Sequence, residues 1–258
     1  LIYRDDDKLF QFERRFVHLN YSSISLKEYF SKLVGVFGDN AKVGICFLLA
    51  TLFRDIITGY TKSFPILNLF GPKGSGKSEL GHSLMALFII ENIPPNIQNA
   101  TIPALADLVA QCANALVHID EFKNNIDIDK REYLKGLWDG AGRSRMNMDR
   151  DKKREITAVD SGVILSGQEM ATADIALFSR LIFLTFAKSE FTEEEKRRYN
   201  ELVEIRKRGL THLTLQILRH RARMEQQFIS NYHTCLSDVL EALGAEKVED
   251  RILRNWII

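Results

Sequence analysis

Residues 71 to 78 read Gly-Pro-Lys-Gly-Ser-Gly-Lys-Ser, a full G-x-x-x-x-G-K-[ST] pattern. Gly71, Gly74 and Gly76 free the backbone to wrap a polyphosphate with its amides, and Pro72, Lys73 and Ser75 fill the turns between them. Lys77 can reach the β and γ phosphates, Ser78 can ligate Mg²⁺, and Gly71 through Glu79, with Pro72, Lys73 and Ser75 among them, are the expected ATP-binding residues. The ligand this chemistry suits is ATP with Mg²⁺. Roughly 40 residues on, residues 115 to 122 read Ala-Leu-Val-His-Ile-Asp-Glu-Phe, a hydrophobic run ending in two carboxylates. Asp120 would hold Mg²⁺ through water, and Glu121 would polarise an attacking water. Adjacent carboxylates at that spacing argue for hydrolysis rather than nucleotide storage. His118, inside the same run, reads as a packed structural histidine.

These residues need a strand before the glycine loop, a helix after it and a buried strand under the acids. Phe64 to Phe70 is a short apolar run that stops at Gly71, and Ser78 to Ile90 has a helical pattern. Ala115 to Ile119 reads as a second buried strand, Val163 to Leu165 as a third and Leu181 to Phe186 as a fourth. Helices are predicted over Ser25–Phe37, Ala41–Ile57, Thr101–Asn114, with Thr101 as cap, and Lys130–Trp138. Gly140 to Asp160 is polar and charged and suits a β-hairpin turning near Asp149-Arg150-Asp151. Thr192 and Glu195 form a capping box, Gly209 stops that helix, and another runs from about Thr211 through Phe228. Short buried strands alternating with helices make an α/β fold with a mainly parallel sheet. The expected division is 1–62 as an N-terminal helical region, 63–190 as the P-loop core and 191–258 as a C-terminal helical region.

Composition narrows the classes. The 258 residues are 45% hydrophobic and 27% charged, which excludes disorder over most of the length. Lys and Arg number 35 against 34 Asp and Glu, so any nucleic-acid contact must come from a local basic patch. The longest apolar run, Val43 to Phe53, is too short for the ~20 residues that span a bilayer. Cys46, Cys112 and Cys235 lie far apart with no CxxC pairing, which fits a reducing compartment, the cytoplasm. A chain opening on Leu1 rather than Met reads as part of something longer.

The order of these features resembles an AAA+ P-loop ATPase over about residues 25 to 186. GPKGSGKS is similar to a Walker A loop, and VHIDEF to a Walker B strand. A charged insertion, a strand with polar end and LFSRLIFLTF then follow. The finer resemblance is to superfamily-three helicases and poxvirus-type primase-helicases of phages, plasmids and viruses. YLKGLWDGAGRSR, 133 to 145, is similar to the segment that leads into their DNA-gripping pore hairpin. The resemblance implies single-stranded DNA contacts from Arg143, Arg145, Arg150, Lys152, Lys153 and Arg154. VILSGQE, 163 to 169, occupies the sensor 1 place, where the family carries an Asn; Ser166 and Gln168 are the two candidates here. Arg180 in LFSR resembles an arginine finger, which implies a homo-oligomer, a hexameric ring. The function implied is a replicative helicase-like motor hydrolysing ATP on single-stranded DNA. The alternative is an AAA+-like nucleotide switch or defence ATPase that acts on a protein partner. Arg197, Arg198, Arg206, Lys207 and Arg208, offset by glutamates, read as the solvated face of a helical lid or interface.

Overall fold

The computed structural model describes residues 22–89, 93–142, 144–146, 154–188 and 190–258. Helix α1 (Leu26–Phe37) starts where the Ser25 hydroxyl accepts the Glu28 amide, and stops at Gly38, whose φ is +58°. The predicted helix over Ala41–Ile57 is two helices, α2 (Asp39–Leu52) and α3 (Arg54–Thr61), bent by 83°. The chain leaves helical geometry at Phe53 (φ −121°, ψ 24°). Tertiary contacts explain the break: Arg54 turns inward, donates to the Val159 carbonyl at 2.5 Å and lies over the Phe64 ring. Apolar periodicity alone cannot register such a demand.

Strand β1 (Ile66–Phe70) feeds the glycine loop and α4 (Lys77–Met85) leaves it. Helix α5 (Ile102–Ala110) is capped by Thr101 as predicted. Strand β2 (Leu116–Phe122) runs past its expected end and carries both acids inside it. Next come α6 (Ile128–Trp138) and an antiparallel hairpin of β3 (Ser144–Met146) and β4 (Arg154–Ile156). The expected turn at 149–151 lies outside the described residues. Strand β5 (Gly162–Gly167), a one-turn helix α7 (Ile175–Phe178) and β6 (Leu181–Thr185) complete the core. Sequence periodicity missed α7, because four residues are too few to show a period.

The C-terminal part is helical. α8 (Glu193–Arg206) opens on the predicted Thr192–Glu195 capping box. The helix expected from Thr211 through Phe228 divides into α9 (Thr211–Leu218) and α10 (Arg221–Leu243), and α11 (Asp250–Ile257) follows.

The four long strands form one all-parallel sheet in the order β2-β5-β1-β6. Alternation along each strand divides the core between two faces. Leu67, Leu69, Leu116 and Ile164 face α1 to α4 and the C-terminal helices; Ile66, Val117, Ile119, Val163 and Leu165 face α5, α6 and α7. Helices therefore flank both faces, the α/β class expected. Among the described residues no single helix is long and apolar enough to cross a membrane, and the bent α2–α3 pair buries its apolar residues in the core.

α1 is tied to the helix that leaves the glycine loop. Tyr29 is fully buried and its hydroxyl donates to the Ser83 carbonyl of α4 at 2.6 Å. Tyr29→Phe should lower stability by about 1 kcal/mol, the usual net worth of one hydrogen bond. Urea denaturation should show the midpoint falling with the slope unchanged.

Candidate nucleotide site at the C-terminal edge of the sheet

Parallel strands bring their C-terminal ends to one edge. β5 lies between β1 and β2, and Phe70 and Phe122 both register with Gly167. The glycine loop, the acid pair and the end of β5 therefore converge there, at the kind of edge where open α/β sheets bind ligands.

The loop is built by backbone demands. Gly71 donates its amide to the Gly167 carbonyl at 3.3 Å, and a Cβ on Gly71 would collide with the Phe186 carbonyl. Gly74 and Gly76 have φ of +78° and +89°, in the region that favours glycine. The Lys77 ammonium folds back over the loop to the Pro72 carbonyl at 3.3 Å. Ser75 Oγ is buried without a hydrogen-bond partner among the described residues.

On β2 the ladder is irregular between Ile119 and Phe122. Glu121 sits at that irregularity with φ +63°, unusual for a residue with a side chain. Asp120 is held from several directions. Its amide donates to the Pro95 carbonyl and its carbonyl accepts the Ile97 amide, both at 2.9 Å. Lys130 steadies that neighbouring segment by donating to the carbonyls of Ile97 and Gln98. Asp120 Oδ1 accepts from Ser166 Oγ at 2.5 Å and from the Glu121 amide at 2.8 Å. Asp120 Oδ2 lies 3.5 Å from Ser78 Oγ. One carboxylate oxygen is thus tied down, and the other faces the loop hydroxyl.

Of the two candidates on the third strand, Ser166 is fully buried against Asp120, while Gln168 is exposed just beyond the strand end. His118 is buried, as packing suggested, yet it also hydrogen-bonds Ser166, with Nε2 to Oγ at 2.7 Å. Burial pushes the His118 imidazole down to about 4, with the Asp120 charge opposing that shift. The sequence signal for this contact was the spacing: positions 118 and 120 share one face of a strand.

Glu79 is engaged by the C-terminal helices. Arg206 of α8 donates to its carboxylate at 2.6 Å, to its carbonyl at 3.3 Å and to Ser83 Oγ at 3.2 Å. Arg206 therefore leaves the solvated face on which sequence placed it, because the carboxylate it pairs with is that of half-buried Glu79 on α4. Glu79 is held down at about 2 by His82 beside it, with Arg206 and Tyr199 adding to the effect and burial opposing it.

Arg180 stands at the other edge of the sheet. It precedes Leu181, which registers with Ile66 at the start of β1, five strand residues or roughly 16 Å from the loop. Arg180 cannot reach the glycine loop. It donates to the Ala176 carbonyl at 2.6 Å, pairs with Asp139 at 3.5 Å and lies over the Trp138 ring. α11 closes over the same spot: Asn255 accepts from Trp138 Nε1 and donates to the Ser179 carbonyl, and Arg251 donates to Ser179 Oγ. The hairpin hangs from this edge too, since its strands lead into the start of β5. In the backbone register of the hairpin, position 145 stands opposite 155 and position 146 opposite 154. Arg143, Arg150, Lys152 and Lys153 lie outside the described residues.

Comparison with solved structures finds the same fold in a helicase. The chain is similar to the active helicase Cch of SCCmec type IV, with TM-score 0.59 and 14% identity over 91% of this chain. It spans 45% of the Cch chain, less than half its length. A JCV helicase bound to a small molecule is more distant, with TM-score 0.44 and 11% identity over 86% of this chain and 67% of that one. No protein-family model matches the chain. No curated protein matches it.

The residues present fit a magnesium nucleotide. The loop offers an unsatisfied buried hydroxyl, backbone forced open by glycines and a lysine, while Ser78 and Asp120 supply two oxygens of the hard type Mg²⁺ takes. The Glu79 cluster gives a pH dependence with a definite sign. A carboxyl depressed to about 2 contributes stability that is complete above about pH 4.5 and fades as pH falls through 2. The stability gap between wild type and Glu79→Gln, read by denaturant unfolding, should shrink as pH falls over that window.

Proposed function

We propose that this chain is the ATP-hydrolysing motor of a helicase that translocates on single-stranded DNA as a homo-oligomeric ring, with a hexamer as its assembled form. The observation that carries the reading is the meeting of Ser78 and Asp120 across the glycine loop, with Glu121 next in line. The division into an N-terminal helical region, 1–62, a core, 63–190, and a C-terminal helical region, 191–258, belongs to the same proposal.

In this reading the loop amides and Lys77 bind the ATP phosphates, and Ser78 and Asp120 would hold Mg²⁺. The metal, when bound, neutralises the charge that builds on the phosphates. Glu121 accepts a proton from the attacking water and aims it. Its left-handed backbone displaces it from the ladder while leaving Asp120 anchored to the 95–97 segment. Arg180 lies too far away to help its own site, so it serves a neighbour's. In a ring that geometry makes each site depend on two subunits.

Glu121→Gln should keep nucleotide binding and lose turnover by about 10²-fold or more, the scale of a lost general base. Lys77→Ala should lose tight binding. Arg180→Ala should bind ATP normally and hydrolyse it poorly, and mixing it with Glu121→Gln subunits should restore part of the rate. A steady-state phosphate-release assay reads all three. Wild-type turnover in Glu121→Gln would remove the hydrolytic assignment, and turnover by a protein that stays monomeric would remove the shared site.

Single-stranded DNA separates a motor from a switch that acts on a protein. Replacing Lys152, Lys153 and Arg154 with Ala should weaken DNA binding about equally for all sequences. Each lost phosphate contact should lower the salt slope by about 0.7. Basal hydrolysis should persist and its stimulation by DNA should vanish. If the assembled wild type with a non-hydrolysable nucleotide binds no DNA, the protein-directed reading takes its place.

A further inference from the structure

His118 lies on β2, two residues before the metal-binding acid and on the same face. It is 1% exposed, and three parts of the site meet on it. The first is Ser166 of β5, 2.7 Å from Nε2. The second is Asp120, reached through Ser166 Oγ at 2.5 Å. The third is α4, the helix that opens with Lys77 and Ser78. Gly81 of that helix lies directly on the imidazole: a Cβ there would stand 2.7 Å from Cε1 and 2.9 Å from Nδ1. The His82 ring meets the His118 ring edge-on at 5.7 Å.

Proton counting gives this chain a direction. An ionised carboxylate only accepts, so Ser166 spends its one hydrogen on Asp120 Oδ1. The serine oxygen must then accept, and the hydrogen on that bond belongs to His118 Nε2. Asp120 Oδ1 is also taken by the Glu121 amide, so the relay and the backbone together leave Oδ2 turned to Ser78. Without the histidine N–H, the serine hydroxyl is free to rotate, and the carboxylate plane loses its strongest side-chain constraint.

We propose that His118 is a positioning residue for Asp120, acting through Ser166, and that its ring against Gly81 keys the acid strand to the helix that carries Lys77 and Ser78. The inference rests on Asp120 being the Mg²⁺-binding acid. Burial alone would give His118 a structural role; the relay adds a dependence specific to the metal. Removing the N–H should weaken the binding that needs Mg²⁺ and spare the binding that does not.

The test is equilibrium binding of a fluorescent non-hydrolysable ATP analogue, with Mg²⁺ and with EDTA, together with thermal melting. Wild type should bind more tightly with Mg²⁺. His118→Phe, which keeps the ring and loses the N–H, should reduce that Mg²⁺-dependent gain roughly fivefold and leave binding in EDTA unchanged. Ser166→Ala should lose the same part of the Mg²⁺-dependent gain, and adding His118→Phe to it should cost nothing further, since both break one chain. His118→Gln, which restores an N–H at similar reach, should recover most of the gain. Gly81→Ala, which pushes the ring without removing a polar group, should reproduce the loss, and it carries the comparison if His118→Phe does not fold. Equal losses with Mg²⁺ and with EDTA, or additive losses in the double variant, would overturn the relay. A wild type indifferent to Mg²⁺ would overturn the assignment of Asp120 and the relay with it, whereas Mg²⁺-dependent binding untouched in every His118 and Gly81 variant would overturn the relay alone.

Discussion

The placement of β5 between β1 and β2 is the constraint on which the site depends. Because all three strands are parallel, the loop after β1 and the acids of β2 rise from one edge, with the end of β5 set between them. Ser166 can reach Asp120 only because its strand runs beside the acid strand. Gly167 closes the arrangement by accepting the Gly71 amide, and a Cβ on it would collide with the Phe122 carbonyl. Small residues at these positions let three strand ends approach closely enough for side chains of modest length to meet.

The same parallel order divides the molecule by task. The glycine loop and the acid pair lie at the C-terminal edge. At the other edge stand the hairpin root, Arg180 and the α11 contacts around Ser179 and Trp138. A strand's length between them keeps Arg180 away from the glycine loop. The Arg180 side chain is mostly buried at its own edge, held by the Ala176 carbonyl, the Trp138 ring and the half-exposed Asp139 carboxylate at 3.5 Å.

The C-terminal helices reach the site by a different route. Arg206 joins α8 to both the side chain and the backbone of Glu79, the residue after Ser78, and to Ser83 one turn further on. Tyr29 joins α1 to the same serine through its carbonyl. The helix that opens with Lys77 and Ser78 is therefore held by buried and part-buried polar contacts from helices at both ends of the chain. It also packs in the apolar core that those ends share.

Local features were legible in the sequence because they are set by neighbours along the chain. The Thr192–Glu195 box and the Thr101 cap each involve residues within a turn of one another, and each stands as read. The α/β class followed from strand and helix alternation in the same way. Tertiary structure alone decided which strands are neighbours, since nothing local to β1 specifies β5 rather than β2 beside it. It also decided that the apolar stretch from Ala41 breaks at Phe53, where Arg54 is drawn to Val159 more than a hundred residues away. His118 and Arg206 belong to this second class. Both were read by residue type, as packing and as solvated charge, and both have their roles set by partners that only the folded chain brings near: Ser166 for one, Glu79 for the other. A side chain's type states what it can bond, and its partner is chosen by the strand order and helix packing that deliver one.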